Sequence, residues 1–349
     1  MKNSAITFPT TDPTPIFELF RGNYATEILV NAVCNLRLFD HLHGEPISWE
    51  DLKENAQLEE RPMQVLMTAL RAMGLIHKDA EGKYSSTDLA SEHLGDFLDY
   101  NIDGYLRLGA DSPGTIEFLD RLRTNAPRGA ENSDGAAFIF KEGMDSAMHK
   151  SREARQLTLS LAGRAKNVAP YLAARLDLHG VKTILDLGGG SAIYSIALAQ
   201  KNPGLKAIVI DSEQVLDVAR EFIQEYGVED QVELRVGDMF SDDLPKCDGI
   251  LLSNILHDWD VPECEQLLQR SADRLKPGGK VWIHDVFLND ELDGPLPIAL
   301  YSAALFTLTE GRAYSAAEYR DMLTKAGLKP AHNIVPTLVH CGVLEGVKE

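Results

Sequence analysis

An apolar run, Thr183-Ile-Leu-Asp-Leu187, leads into three glycines, Gly188-Gly-Gly190, and then into the helix-opening residues Ser191-Ala-Ile-Tyr-Ser195. No other stretch restricts the fold as strongly. Glycine has no Cβ, so the backbone there turns tightly and lets a ligand lie directly against it. The first N–H groups of the following helix lack intrahelical partners and face that ligand. A strand, a glycine turn and a helix in this order hold a nucleotide-type cofactor at the carboxyl ends of parallel strands. The residues that follow repeat the alternation. Strands are expected at Thr183–Leu187, Lys206–Ile210, Val232–Val236, Gly249–Ser253 and Lys280–Val286, with helices at Ile193–Gln200, Glu213–Tyr226 and Cys264–Leu275. The tail Leu328–Val347 is expected to supply two last strands. This predicts an α/β fold, a Rossmann-like and mainly parallel sheet with helices on both faces.

The first half reads differently. Residues 1–13 are polar and form an arm. From Pro15 to about Leu42 apolar residues recur at helical spacing, among them Ile16, Leu19, Phe20, Ile28, Val33 and Phe39. Ser48-Trp-Glu-Asp51 is a capping-box pattern that opens a short helix. A second helix starts near Arg61 and ends at Gly74, and Leu75–Tyr84 reads as strand, turn and strand. Helix, helix, hairpin is a winged-helix-like arrangement. Its second helix offers only Arg61 and Arg71 as cations, so packing or dimerisation suits it better than DNA reading. Residues 85–180 are expected to be mostly helical, with a polar break at Asn125–Gly135. The expected division is a winged-helix-like domain over 1–105, a helical link over 106–180 that contributes to a substrate pocket, and a cofactor domain over 181–349.

A net charge of -19 argues against general affinity for phosphate backbones, which demands clustered Lys and Arg. Four cysteines without a C-x-x-C pair read as reduced thiols. The first residues lack the apolar core of a signal peptide, and no apolar run approaches the ~20 residues of a membrane helix. These features predict a cytoplasmic protein with no nucleic-acid or membrane partner. His41 and His43 read as a solvated turn, and no residue group has convincing metal spacing.

The glycine turn admits three cofactors. A phosphate-cradling loop needs G-x-x-x-x-G-K-[ST], and no lysine follows these glycines. A dinucleotide fingerprint needs a third small residue where Ile193 stands. The remaining reading uses the acids at the strand ends. Asp211 ends the second strand, where a carboxylate accepts both ribose hydroxyls. Asp238 and Met239 follow the third strand, placed for the amino group and the face of adenine. Asp186 is available to an ammonium group. A ligand with ammonium, ribose and adenine but no pyrophosphate is S-adenosylmethionine.

Four motifs now carry a resemblance: Asp186-Leu-Gly-Gly-Gly190, Gly237-Asp-Met-Phe240, Leu256-His-Asp-Trp-Asp260 and Leu275-Lys-Pro-Gly-Gly-Lys-Val281. From about residue 15 to the end, the chain resembles the two-domain small-molecule O-methyltransferases, the family of caffeic acid and acetylserotonin O-methyltransferases. The resemblance implies a class I methyltransferase domain, an amino-terminal dimerisation domain and a homodimer. It also implies S-adenosylmethionine as donor, S-adenosylhomocysteine as product and a small aromatic hydroxyl compound as acceptor. His257 stands where the family keeps its general base, and Asp285 where a carboxylate orients it. A phenol titrates near ~10 and imidazole near ~6.5, so a neutral histidine can take the hydroxyl proton as attack proceeds. Ser253, Asp258 and Trp259 are expected beside the cofactor with Asp186, Gly188, Gly190, Asp211, Asp238 and Met239. Met144, Met148, Tyr301 and Phe306 are candidates for the acceptor pocket.

Two positions depart from the family pattern. Ala313, in Glu310-Gly-Arg-Ala-Tyr-Ser315, stands where a second orienting glutamate is usual. Ala192 occupies a place that usually holds glycine. The first departure leaves open a member that keeps the cofactor without transferring methyl, such as a hydroxylase or decarboxylase. Methylation at carbon or nitrogen is a further alternative.

Overall fold

The computed structural model describes residues 3–95, 99–126 and 151–349. Met144 and Met148 lie outside the described residues. The chain divides into two compact units.

The first unit holds the residues up to Phe17, helix α1 (Ser151–Arg175) through Phe287, and Ala316–Glu349. Its strands are β1 (Thr183–Leu187), β2 (Lys206–Asp211), β3 (Val232–Val236), β4 (Cys247–Ser253) and β5 (Leu275–Leu288). The tail adds β6 (Leu328–Pro330), β7 (Val335–Pro336) and β8 (Cys341–Lys348). The spatial order is β7-β8-β5-β4-β1-β2-β3, with β6 paired to β8. Strands β1 to β5 run parallel, and β8 is antiparallel to β5. Between them come α2 (Ile193–Lys201), α3 (Glu213–Tyr226) and α4 (Val261–Arg274). β1 and β4 are nearly continuous apolar runs because both of their faces are covered. From β1 the chain builds outward to β2 and β3, then returns to β4 on the other side. That reversal opens a crevice at the carboxyl ends of the strands.

Two details differ from the sequence reading. β5 starts at Leu275, not Lys280, so the Lys-Pro-Gly-Gly segment is part of the strand. Gly279 permits this, since a Cβ there would lie 2.8 Å from the Lys276 carbonyl oxygen. The tail forms three strands, not two, because Pro330 and Pro336 cannot continue a ladder.

The second unit holds Glu18 through residue 126 and Leu288–Ser315. Helix Trp49–Ala56 is capped by the Ser48 hydroxyl, which accepts from the Asp51 N–H at 3.2 Å. Helix Glu60–Ala72 and the antiparallel pair Ile76–Lys78 and Tyr84–Ser86 follow, so the helix–helix–hairpin order is present. The apolar stretch before it is not one helix. It breaks into Thr14–Arg21, a 3-10 turn, Ala25–Val30, a π turn at Asn31–Asn35 and a further 3-10 turn. Buried Asn31 donates through Nδ2 to the carbonyls of Glu27 and Thr115, and this side-chain competition loosens the ladder there.

The contiguous division at 105 and 180 is not the one the contacts draw. Helix Leu296–Leu308, apolar on all sides, packs on Glu60–Ala72 and so joins the helical unit. Arg61 stitches this unit together. Its guanidinium donates to the carbonyls of Thr309, Gly311 and Asn125, and lies over the Phe306 ring. Arg71 donates to the carbonyls of Glu291 and Leu292. Both cations of the second helix thus hydrogen-bond to backbone carbonyls of their own unit. Among the described residues no helix is long and apolar enough to cross a membrane.

Candidate active site

A cavity of about 330 Å³ opens at the carboxyl ends of β1 to β4. The glycine turn forms its floor. Gly188 has φ +64, and a Cβ there would lie 2.5 Å from Ile255 Cδ1. Gly190 has φ +57 with open space beside it, and its N–H donates to Asp211 Oδ2 at 2.9 Å. Ala192 opens α2 in the left-handed region at φ 61 and is fully buried. This is the backbone reason for glycine there, and alanine tolerates it at a cost of about 1–2 kcal/mol.

The acids are distributed by strand order. Asp211 lies in the wall at the end of β2, its Oδ1 accepting from the Ser212 N–H at 2.7 Å, and burial raises its pKa. Asp238 lies at the mouth beyond β3. Its two oxygens accept from the Phe240 N–H and the Ser241 hydroxyl, so the carboxylate shapes its own turn. Met239 is beside it in the wall, with its carbonyl held by Arg270 Nε at 2.9 Å. Asp186 is placed differently from expectation. Its carboxyl is fully buried beneath Gly189, whose Cβ would lie 2.7 Å from Asp186 Cγ, and it does not reach the cavity wall. Oδ2 accepts from the Ser195 hydroxyl at 2.7 Å, whereas Oδ1 has no partner. Burial pushes this carboxyl up to about 7.

β4 leads into Ser253, Asn254 and the 3-10 turn Leu256–Asp258. His257 is buried, and its Nδ1 lies 2.6 Å from Asp285 Oδ1. Asp285, inside β5, also accepts from the Val286 N–H at 2.7 Å and, through Oδ2, from the Tyr319 hydroxyl at 3.3 Å. The other imidazole nitrogen, Nε2, lies 3.6 Å from Asp258 Oδ1. Burial alone would lower the His257 pKa, but Asp285 and Asp258 outweigh it and hold the ring above its ordinary value. Asp258, which lines the cavity with Trp259, is itself pushed up to about 7 by burial. Phe240 meets Trp259 edge-on at 4.7 Å.

His284 serves as structure. Its Nδ1 is 2.8 Å from Ser253 Oγ and its Nε2 is 3.1 Å from Thr337 Oγ1. Tyr301 and Phe306 belong to the helical unit. Arg21 covers the Tyr301 ring, and Phe306 is fully buried against Phe118. Ala313 is fully buried there as well, donating its N–H to Ser302 Oγ at 3.1 Å.

Sequence reasoning missed the wall contributed by α1, where Thr158 and Arg164 line the cavity, and also Tyr194, Asn254 and Tyr319. Arg164 is the one cation among the described lining residues. Buried polar atoms of the wall without a partner in the protein include Thr158 Oγ1 and Asn254 Oδ1. Buried polar groups are normally hydrogen-bonded, so these mark where a polar ligand completes the site. Three acids in the wall, one cation and a glycine floor fit a zwitterion joined to a nucleoside.

The comparisons agree with this geometry. The sequence pattern of the O-methyltransferase domain matches residues 134–329, and that of the O-methyltransferase dimerisation domain matches residues 17–96. The chain is 31% identical to a 3-hydroxy-5-methyl-1-naphthoate 3-O-methyltransferase of Streptomyces sahachiroi, over 96% of this chain and 95% of that protein. A crystal structure of an O-methyltransferase family 2 protein from Planctomyces limnophilus, complexed with apigenin, superposes with TM-score 0.90 at 43% identity. That match covers 100% of this chain and 99% of the other. Human N-acetylserotonin methyltransferase, solved with S-adenosylmethionine, shares the fold at TM-score 0.59 and 22% identity, over 98% and 99% of the two chains. A class I sheet order, a glycine-floored cavity at its switch point and matches spanning nearly the whole chain lead to one conclusion: this chain belongs to the O-methyltransferase family.

Proposed function

We propose that the protein transfers a methyl group from S-adenosylmethionine to a hydroxyl of a planar aromatic compound, with His257 as the general base. The observation that carries this reading is the buried His257–Asp285 pair, next in the chain to Asp258 in the wall of the glycine-floored cavity. When bound, S-adenosylmethionine supplies an electrophilic methyl group on a positively charged sulfur. The residues supply position and proton transfer. Asp211 and Ser212 hold the ribose, Gly237 to Met239 hold the adenine, and Arg164 pairs with the carboxylate. Trp259 and Asp258 face the sulfonium charge, which aromatic faces and carboxylates attract.

Asp285 accepts the Nδ1 proton of His257 and so leaves the Nε2 lone pair for the acceptor hydroxyl. As that proton arrives, the carboxylate stabilises the imidazolium. Positioning contributes up to ~7–11 kcal/mol of the acceleration, and the base about 10²- to 10⁴-fold. S-adenosylhomocysteine and an aryl methyl ether leave. The names of the naphthoate and apigenin proteins support a fused or extended aromatic acceptor. The dimerisation domain supports a homodimer in which exposed Leu19, Phe20 and Leu108 are covered by the second subunit.

The test is incubation with methyl-labelled S-adenosylmethionine and a panel of flavones, naphthols and hydroxynaphthoates. Product structures are assigned by NMR, in parallel with His257→Ala. Aryl methyl ether formed one-for-one with S-adenosylhomocysteine, and reduced about 10²-fold or more in the variant, is expected. Methyl on carbon or nitrogen, or full turnover by the variant, would reject the reading.

A further inference from the structure

Asn254 is the residue of the cavity wall that the sequence left without a role. It follows β4 with φ +58, a left-handed conformation that asparagine tolerates better than most side chains. Its N–H donates to the His284 carbonyl at 2.8 Å, which ties it to β5. Its Nδ2 donates to Ser253 Oγ at 3.2 Å.

A chain of hydrogen bonds through one neutral tautomer of His284 matches that direction. A neutral imidazole has one N–H and one lone pair. His284 stays neutral because burial holds its pKa down at about 3. Ser253 Oγ receives the Asn254 amide proton and donates its own to His284 Nδ1, and the Nε2–H then donates to Thr337 Oγ1. Both His284 nitrogens are satisfied in this order, and the Tyr194 hydroxyl also bonds with the Asn254 and Ser253 side chains. This order leaves Asn254 Oδ1 as a buried acceptor at the cavity wall with no donor from the protein.

Sheet order says which part of a ligand meets it. Across the crevice stand the ends of β3 (Met239), β2 (Asp211), β1 (the glycine turn) and β4 (Asn254), with Asp285 inside the neighbouring β5. With the nucleoside over β3 and β2, the amino-acid end falls over β1 and β4. Asp186 is beneath the turn and cannot reach it.

We propose that Asn254 Oδ1 accepts a hydrogen bond from the primary ammonium group of the donor and so selects for that group, in the role expected of Asp186. The inference rests on the proposed S-adenosylmethionine site. Its test is calorimetric binding of S-adenosylhomocysteine and of its deaminated analogue, which lacks only the amino group. Wild type should prefer S-adenosylhomocysteine by about ten- to a hundredfold, as a hydrogen bond to a charged group does. Asn254→Gly keeps the left-handed turn without strain. It should shrink that preference by tenfold or more and leave the affinity for the analogue within about threefold of wild type. Asn254→Asp, which retains the acceptor, should keep the preference. An unchanged preference in Asn254→Gly, or an equal loss for both compounds, would overturn the assignment. Absence of S-adenosylhomocysteine uptake by wild type would overturn the donor reading itself, and this inference with it.

Discussion

Replacing Asp285 with asparagine removes a charge beside His257 and almost nothing else. Asp285 Oδ1 accepts from the Val286 N–H at 2.7 Å and lies 2.6 Å from His257 Nδ1, while Oδ2 receives the Tyr319 hydroxyl at 3.3 Å. Asparagine has one oxygen and one NH₂ for these two places. The Val286 N–H is fixed in a strand and can only donate, so the amide oxygen takes the Oδ1 place. The NH₂ then faces Tyr319, whose hydroxyl oxygen can accept. His257 therefore keeps its acceptor on Nδ1 and its lone pair on Nε2. The loss is the difference between a charge-assisted and a neutral hydrogen bond, about 1–2 kcal/mol. That corresponds to roughly a 5- to 30-fold slower methyl transfer. Asp285→Ala strips the acceptor from all three donors and should cost the full general-base contribution, about 10²- to 10⁴-fold. The pH profile separates the two effects. His257 must be neutral to act, so activity falls as pH drops through its pKa. Asp285 and Asp258 raise that pKa against burial. Without the Asp285 charge burial gains weight, and the acid limb of kcat/KM moves to lower pH. Profiles of kcat/KM for wild type and both variants, with a flavone or hydroxynaphthoate acceptor, measure this. An asparagine variant as slow as the alanine one, or an acid limb that stays in place, would refute the assigned hydrogen-bond directions.

Three further outcomes are expected. Gly249→Ala puts a Cβ 2.3 Å from Cζ3 of buried Trp282 in the sheet core, so thermal unfolding should report destabilisation by about 1–3 kcal/mol or more. Asp186 has a folded pKa of about 7 against 3.8 for a free carboxyl, so its contribution to stability is present below the lower value and drains as pH rises through the higher. Asp186→Asn does not titrate; from pH 5 to pH 8 the variant's melting curve should gain on wild type by on the order of 2 kcal/mol, and a gain in the opposite direction contradicts the burial argument. Leu19 and Phe20 are 83% and 76% exposed in the dimerisation region. Light scattering should give twice the 38.5 kDa chain mass for wild type and a smaller average for Leu19→Glu/Phe20→Glu.

Legibility in the sequence followed how local the determining physics is. β1, β3 and α3 begin and end where the residues indicate. A glycine turn stops the first, and Gly227 at φ 64 stops the last. The Pro15–Leu42 segment defeated periodicity because one buried amide, Asn31, reaches carbonyls at Glu27 and at distant Thr115. No local rule places Leu296–Leu308 with the helical unit either, since its partner helix is far away in the chain.

The site divides in the same way. Parallel strands deliver the residues after each carboxyl end to one edge of the sheet, so Asp211, Met239 and the glycine turn converge once the strands are known. Asp186 shows the limit of that rule. It precedes the strand's end by one residue, and the alternation of side chains across a strand puts it under the turn instead of over it. Asn254 shows the converse, because a left-handed backbone directly after β4 redirects a side chain that alternation alone would misplace. Tyr319 and Arg164 come from helices packed against the sheet, and which faces they present is decided by packing. The residues that come together as expected are therefore those placed by the sheet alone. The ones missed, Tyr319 on Asp285 and Arg164 and Asn254 in the cavity wall, are placed by helix packing and by one left-handed residue, neither of which strand alternation encodes.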